Sequence, residues 1–181
     1  MIYVFLAEGF EEVEALTPVD CLRRAGRTVQ TVGVGGKVIS GSHGIPVTAD
    51  ITAADMRLDD ALEMIVLPGG MPGTLHLGES EAVQNAITFC AERNLLIAAI
   101  CAAPSVLGAR GLLSGKTATC YPGFEPKLTG CNAVAEPVVQ DGRIITGRGP
   151  GAAMDFALKL VEVLCGAEQA AQLAKGMVYT K

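Results

Sequence analysis

The fold is decided by residues 95–107, which read LLIAAICAAPSVL. The uninterrupted apolar run before Cys101 predicts a parallel strand that is covered on both faces. Pro104 suits the first turn of a following helix, because the N–H that proline lacks has no helical partner at that position. Cys101 is therefore predicted at a sharp turn from strand to helix, where unpaired amides and the helix dipole favour a thiolate over a thiol.

Cys101 has two interpretations. Most cysteines are small, buried hydrophobic residues, and Cys101 can be one of them. A functional role is favoured, because open α/β sheets bind their ligands beyond the carboxyl ends of the strands.

The composition indicates a chain with a large aliphatic core. Hydrophobic residues make up 50% of the 181 residues, aromatic residues only 4%, and tryptophan is absent. No apolar run approaches the roughly 18 residues that a membrane-spanning helix requires. The formal net charge is −5, and lysines and arginines are scattered apart from Arg23 and Arg24. Neither nucleic acid nor a membrane is therefore an expected partner.

The cysteines and the amino terminus indicate a reduced, cytoplasmic location. The six cysteines include no C-x-x-C pair and no close cluster with histidine, so neither a structural metal site nor a redox dithiol is expected. The first apolar residues have no basic residue before them and meet Glu8 almost at once. They are predicted to form a first strand and not a signal peptide.

Strands alternate with helices along the whole sequence, which predicts an α/β fold with a doubly wound, mostly parallel sheet in one domain, residues 1–181. In the helix after the first strand, Pro18 either introduces a kink or marks a restart with Thr17 as N-cap. Gly26 is predicted to end that helix. Residues 33–36 are glycine-rich, but they lead into a strand and do not fit a nucleotide-binding loop. Strands are predicted at residues 2–6, 28–32, 64–67, 95–100 and 117–120, and hairpins at 37–49 and 138–146. Helices are predicted at 81–93, 104–111 and 124–128. A last long helix is predicted to end at Gly166, followed by a further turn or two at 167–174.

Three strand ends converge at one edge of such a sheet: the acidic turn at residues 8–14, the Pro68-Gly69-Gly70 turn and Cys101. A cysteine nucleophile needs a base and a place for the oxyanion that it generates. The amides of Gly70 and Ala102 are candidates for that place. A carboxyl group of Glu11, Glu12 or Glu14 is a candidate for proton transfer, although these residues can also form a solvated patch at a helix amino terminus.

Hydrolysis through a Cys-His pair is disfavoured. The chain has only two histidines, His43 and His76, and neither follows Cys101. Glutamine amidotransferases of similar fold use a histidine far downstream of the cysteine. Intracellular proteases of this type carry a histidine directly after the cysteine, where this chain has Ala102.

Six motifs follow one another from the first strand to the last helix: GFEEVE at 9–14, PVD at 18–20, RRAG at 23–26, VLPGG at 66–70, AAICAAP at 98–104 and GRGPG at 147–151. Together they resemble the ThiJ/PfpI superfamily and more narrowly its DJ-one/YajL branch of deglycases. The resemblance implies a flavodoxin-like sandwich, similar to class I glutamine amidotransferases, that usually forms a homodimer.

The resemblance also implies roles for individual residues. Cys101 matches the reactive cysteine, and Glu14 matches a glutamate that donates a hydrogen bond to its sulfur, which requires burial to raise the pKa of that carboxyl. Gly70 and Ala102 match the oxyanion amides, with Gly69 beside them. His43 replaces an arginine that reaches the partner subunit's site, and Tyr121 replaces a histidine near the cysteine.

The activity implied is a glutathione-independent glyoxalase or deglycase. Cys101 would add to methylglyoxal-type dicarbonyls, either free or on a glycated protein or nucleotide, with Glu14 as proton shuttle and no cofactor or metal. The alternative is an oxidative-stress sensor or redox-regulated chaperone that acts through oxidation of Cys101. A cysteine peptidase or a thiamine-biosynthesis protein is a less favoured interpretation.

Overall fold

A sheet of seven strands forms the centre of the fold in the computed structural model, which describes residues 1–180. Lys181, the last residue of the predicted domain 1–181, lies outside the described residues. The strands are β1 (Ile2–Ala7), β2 (Val29–Val34), β3 (Val38–Ser40), β4 (Pro46–Thr48), β5 (Ile51–Thr52), β6 (Met64–Leu67), β7 (Leu96–Ile100), β8 (Thr117–Ala118), β9 (Asn132–Ala133), β10 (Val138–Asp141) and β11 (Ile144–Gly147).

The strand order is β10-β11-β7-β6-β1-β2-β5, and every neighbouring pair is parallel except β10 with β11. Strands β3 and β4 form a separate hairpin, and β8 pairs with β9. The helices are α1 (Glu12–Arg24), α2 (Gly73–Glu79), α3 (Glu81–Glu92), α4 (Pro104–Ala109), α5 (Ala153–Cys165) and α6 (Ala167–Gly176). Within residues 1–180, none of them is long and apolar enough to cross a membrane.

The central strands are buried on both faces, as their continuous apolar sequences require. On one face, Phe5 and Leu67 pack with residues of α3 and α4 such as Ile87. On the other face, Val4 packs with residues of α1, α5 and α6 such as Phe156. The predicted doubly wound, mostly parallel α/β sandwich is therefore confirmed.

Helix α1 is continuous through Pro18, so the predicted alternative of a restart at Thr17 is wrong. Pro18 removes one backbone hydrogen bond, while burial of Ala15, Val19 and Leu22 holds the helix against the sheet. The helix ends as predicted at Gly26, which has a φ of +76°. The N–H of Arg27 donates to the carbonyl of Leu22 at 3.0 Å, the hydrogen bond of a Schellman motif.

Four local predictions needed correction. The turn between β10 and β11 is centred on Gly142 and Arg143, one residue later than the predicted Asp-Gly turn. The segment at 124–128, predicted as a short α-helix, forms only a three-residue 3-10 turn, and the predicted strand at 117–120 ends at Ala118. The final turn or two predicted at 167–174 is the ten-residue helix α6.

Candidate active site

Strands β7, β6 and β1 are neighbours that run in the same direction, so their carboxyl ends meet at one edge of the sheet. Cys101 follows β7, Gly69 and Gly70 follow β6, and the acidic turn leading to Glu14 follows β1. The convergence predicted from the sequence is therefore present.

The backbone of Cys101 is held in a left-handed conformation, with a φ of +66°. Its N–H donates to the carbonyl of Gly147 at 2.9 Å, and its carbonyl accepts from the N–H of Tyr121 at 2.8 Å. A non-glycine residue at positive φ costs about 1–3 kcal/mol and is found most often at functional sites. Pro104 begins α4 as expected, so the cysteine lies at the turn between strand and helix.

Glu14 lies in the first turn of α1, and its side chain is completely buried. Its Oε2 accepts a hydrogen bond from the N–H of Gly69 at 2.9 Å. Its Oε1 is buried without a hydrogen-bond partner within residues 1–180. Of the three candidate carboxyl groups, Glu14 is the one that adjoins the thiol of Cys101.

Gly69 lies against both the carboxyl group of Glu14 and the side chain of Cys101. A Cβ at this position would lie 2.6 Å from the Cβ of Cys101 and 2.6 Å from Oε2 of Glu14. Real Cβ atoms do not approach other atoms so closely, so only glycine fits between the two side chains. The pair of adjacent glycines was the signal of this close approach in the sequence.

The backbone amides of Gly70 and Ala102 both face the sulfur of Cys101. Gly70 has a φ of +90°, a conformation that a residue with a side chain rarely adopts. The two amides stabilise negative charge at the sulfur or at an oxygen bound beside it.

Burial controls the protonation of the pair. It raises the pKa of Glu14 to about 7 despite hydrogen bonds from Cys101 and Gly69. It also raises the pKa of Cys101 to about 12, with a further contribution from the neighbouring Glu14, and the amides of Gly70 and Ala102 do not offset these effects. Both effects favour the thiol form of Cys101, whereas its position before a helix favours the thiolate. The raised pKa implied for Glu14 is present.

His43 lies on the loop between β3 and β4 and is exposed. Its Nδ1 is 2.8 Å from Oε2 of Glu12, and its backbone N–H donates to Oε1 of Glu12 at 2.9 Å. Burial opposes ionisation of Glu12, but the hydrogen bonds from His43 outweigh it and lower the pKa of Glu12 to about 2. The structure thus pairs His43 with Glu12, a contact that no sequence spacing indicated.

Glu11, Glu12 and His43 also have the donor types that a metal ion uses. Within residues 1–180 their ligand atoms lie within 4.8 Å of one another. These side chains are at the same time hydrogen-bonded or ion-paired among themselves.

Tyr121 contacts the cysteine through its backbone N–H, and its side chain is largely exposed. The ring lies against Gly149 and lines a cavity of about 350 Å³. Arg148 and Pro150 line the same cavity, in the glycine- and proline-rich segment that precedes α5. The sequence singled out this segment only as part of the family resemblance, and no spacing indicated that it adjoins Tyr121.

The model of the DJ-1/PfpI family matches residues 1–163. This chain belongs to the DJ-1/PfpI family. The predicted ThiJ/PfpI membership is therefore confirmed.

Relatives in the DJ-1/PfpI family align over nearly the whole chain. Protein dj-1beta of Drosophila melanogaster is 41% identical over 178 residues, which cover 97% of this chain and 95% of the relative. The glutathione-independent glyoxalase DJR-1.2 of Caenorhabditis elegans is 33% identical over 176 residues, covering 96% and 93%. The structure of oxidized Toxoplasma gondii DJ-1 matches with a TM-score of 0.94 at 36% identity, over 99% of this chain and 98% of that one. This match confirms the flavodoxin-like DJ-1/PfpI fold.

Proposed function

We propose that this DJ-1/PfpI protein is a glutathione-independent glyoxalase that converts methylglyoxal-type dicarbonyls to hydroxy acids, with Cys101 as nucleophile. The observation that carries the proposal is the buried carboxyl of Glu14 beside the thiol of Cys101. The similarity to a relative named as a glutathione-independent glyoxalase supports the same reaction class.

The reaction begins with transfer of the thiol proton to Glu14 as the sulfur adds to the aldehyde carbon of methylglyoxal. The amides of Gly70 and Ala102 stabilise the resulting oxyanion, which takes the proton from Glu14 to give a hemithioacetal and returns Glu14 to its carboxylate form. Glu14 next removes the hydrogen from that carbon to give an enediol and returns it to the neighbouring carbon, while the hydroxyl proton of the hemithioacetal passes to the oxygen on that neighbouring carbon. The product is a lactate thioester on Cys101, which water hydrolyses to lactate and free thiol, so no external oxidant or reductant is consumed.

The protonation of Glu14 suits this role. A pKa of about 7 leaves both forms of the carboxyl populated near neutral pH. A group that alternately accepts and donates a proton works best when its pKa lies close to the operating pH. Because Cys101 rests as a thiol, the carboxylate of Glu14 is the base that activates it.

The burial of Cys101 favours a small substrate, since only 8% of the residue is exposed. A dicarbonyl bound to an amine of a protein or nucleotide is in equilibrium with the free aldehyde. Removal of the free aldehyde therefore leads to deglycation of that amine. We therefore propose the free dicarbonyl as the direct substrate and the glycated amine as its source.

A second candidate function is oxidation sensing, with or without chaperone activity, because the amides of Gly70 and Ala102 face the sulfur of Cys101. Oxidation of the thiol by a peroxide to sulfinate would place charged oxygens among these donors and Glu14. The T. gondii relative with an oxidized structure supports this chemistry.

We also propose that the protein works as a homodimer in the cytoplasm. Val13 and Leu16 on α1 and Ile45 on the β3–β4 loop are exposed apolar side chains. A second copy covering this surface would also cover the neighbourhood of His43, in keeping with the position of the family arginine that His43 replaces. All six cysteines are free thiols, which fits a reducing compartment.

The deciding experiment follows methylglyoxal consumption without glutathione and identifies the product by NMR. Wild type, Cys101→Ala and Glu14→Gln are compared. We expect lactate from wild type, none from Cys101→Ala, and a rate at least about 100-fold lower from Glu14→Gln. Unchanged turnover by Glu14→Gln would refute the proposed mechanism, and no turnover by wild type would favour oxidation sensing.

A further inference from the structure

A cluster of three sulfur atoms lies between the helices on one face of the sheet. The Sγ of Cys21 is 3.8 Å from the Sδ of Met154 and 3.7 Å from the Sδ of Met177. Cys21 belongs to α1, Met154 to the first turn of α5, and Met177 directly follows α6. Three separate elements therefore each bring one sulfur to the cluster, in which Cys21 contacts both methionines.

These three sulfurs form a particular set of donors. A cysteine thiolate and two thioethers are soft ligands, which select Cu(I) over the harder divalent ions. Three sulfur ligands at about 2.3 Å from a central ion would lie about 4.0 Å apart in trigonal geometry. The two sulfur-to-sulfur distances from Cys21 are already within a few tenths of an ångström of that spacing.

We propose that Cys21, Met154 and Met177 form a binding site for a soft monovalent cation, Cu(I). On binding, the thiol of Cys21 releases its proton to solvent, a sulfur–copper bond forms, and the thioethers of Met154 and Met177 complete the coordination. No electron is transferred. Neither Cys101 nor Glu14 is among the three ligands, so the proposal does not rest on the proposed glyoxalase function.

The charge of the surroundings supports a monovalent ion. One thiolate and Cu(I) together are neutral, and a neutral complex is tolerated in an apolar environment better than a net charge. Cys21 is fully buried and packs in the same apolar cluster as Leu22 and Phe156. Burial also raises the pKa of Cys21 to about 11, so without metal the residue is a thiol.

An entry route also exists, because Met154 and Met177 are only partly buried. A cation can therefore meet the two thioethers first and the buried sulfur of Cys21 last. Binding of Cu(I) would join α1, α5 and the segment after α6 through their sulfur ligands.

The test is an anaerobic Cu(I) titration of the full chain in competition with a chromogenic Cu(I) chelator. Competing thiols are removed in a Cys101→Ala, Cys131→Ser, Cys165→Ser background, since Cys131 and Cys165 are partly exposed. We expect one Cu(I) per chain, with X-ray absorption showing three sulfur ligands at about 2.3 Å.

Single substitutions in that background assign the ligands. Met154→Leu and Met177→Leu keep the side-chain volume and so keep the fold. Each should weaken Cu(I) binding by at least about tenfold and lower the sulfur coordination number. Cys21→Ser should abolish binding, and Met56→Leu, a partly buried methionine at another cluster, should change nothing. Unchanged binding in Cys21→Ser, or three sulfur ligands retained in the Met154→Leu, Met177→Leu double variant, would overturn the proposal.

Discussion

The N–H of Gly69 donates to Oε2 of Glu14 at 2.9 Å, a bond that joins the end of β6 to the first turn of α1. Gly69 at the same time lies against both the carboxyl of Glu14 and the side chain of Cys101. Carboxyl, glycine and cysteine are therefore packed as one unit, and the position of each depends on the other two.

Gly69→Ala should abolish the proposed glyoxalase activity without unfolding the protein. The new Cβ would lie 2.6 Å from both Cys101 Cβ and Glu14 Oε2, so the two side chains must move apart. A displacement of about 1 Å between reacting groups lowers rates about 100-fold. The measurement is kcat/KM for methylglyoxal beside a circular dichroism melt. Gly176→Ala is the matched control, because a Cβ there meets nothing within 4 Å. Full activity in Gly69→Ala would contradict the packing argument.

Glu14 should make the stability of the protein depend on pH. Its pKa is raised from 4.5 to about 7 in the folded state. Between these values the folded state holds a proton that the unfolded chain has lost, so stability falls as pH rises through this window. The loss amounts to about 3 kcal/mol.

Because glutamine cannot ionise, Glu14→Gln should lack this loss. Urea unfolding at pH 5, 6, 7 and 8 measures it, and the stability of Glu14→Gln relative to wild type should increase until about pH 7 and then level off. The exposed Glu81→Gln serves as control. Parallel pH profiles for wild type and Glu14→Gln would show that the carboxyl is not protonated in the folded protein.

The fold was predictable because its signals are local and repeated. Each buried parallel strand is a short apolar run, and Gly26 ends α1 through a conformation that only a few residues adopt readily. Pro18 was ambiguous because its effect on α1 depends on tertiary packing, which the burial of Val19 and Leu22 provides. The register of the 138–147 hairpin and the irregular region around 117–131 depend on pairings that short segments do not specify.

The site was predictable in part. Cys101 and the glycines at 69–70 follow strands that the sequence identifies, so parallel pairing alone brings them together. The choice of Glu14 over Glu11 and Glu12 depended on the helix rotation that directs one carboxyl into the core. The protonation of Cys101 could not be predicted from its position before a helix. Burial and the neighbouring carboxyl raise the pKa of its thiol by more than the backbone amides lower it.

Tyr121→Ala should show whether the ring of Tyr121 contacts the substrate, because the substitution leaves the backbone contact of this residue with Cys101 in place. The N–H of Tyr121 holds the carbonyl of Cys101, and alanine retains that N–H. The ring, in contrast, lines the 350 Å³ cavity beside Arg148. We expect kcat for methylglyoxal to stay within about threefold of wild type, and KM for a bulkier aryl dicarbonyl to rise by up to about tenfold, as for one lost apolar contact. Steady-state kinetics with phenylglyoxal and methylglyoxal measure both. A large fall in kcat for both substrates would mean that the ring itself supports the cysteine.

His43→Ala should make the protein more sensitive to acid. His43 donates to both oxygens of Glu12 and helps to lower the pKa of that carboxyl from 4.5 to about 2. A lowered carboxyl pKa contributes stability that is present above pH 4.5 and is lost as pH falls toward 2. Alanine keeps the backbone N–H but removes the ring, so the pKa of Glu12 should rise and the acid unfolding midpoint should move to higher pH.

Circular dichroism along a pH titration measures that midpoint. The control is His76→Ala, whose ring contacts the carbonyl of Glu8 and, within residues 1–180, no carboxylate. If both variants unfold at the same pH as wild type, the His43–Glu12 pair contributes nothing to stability. An unchanged acid unfolding midpoint in Glu12→Gln would lead to the same conclusion.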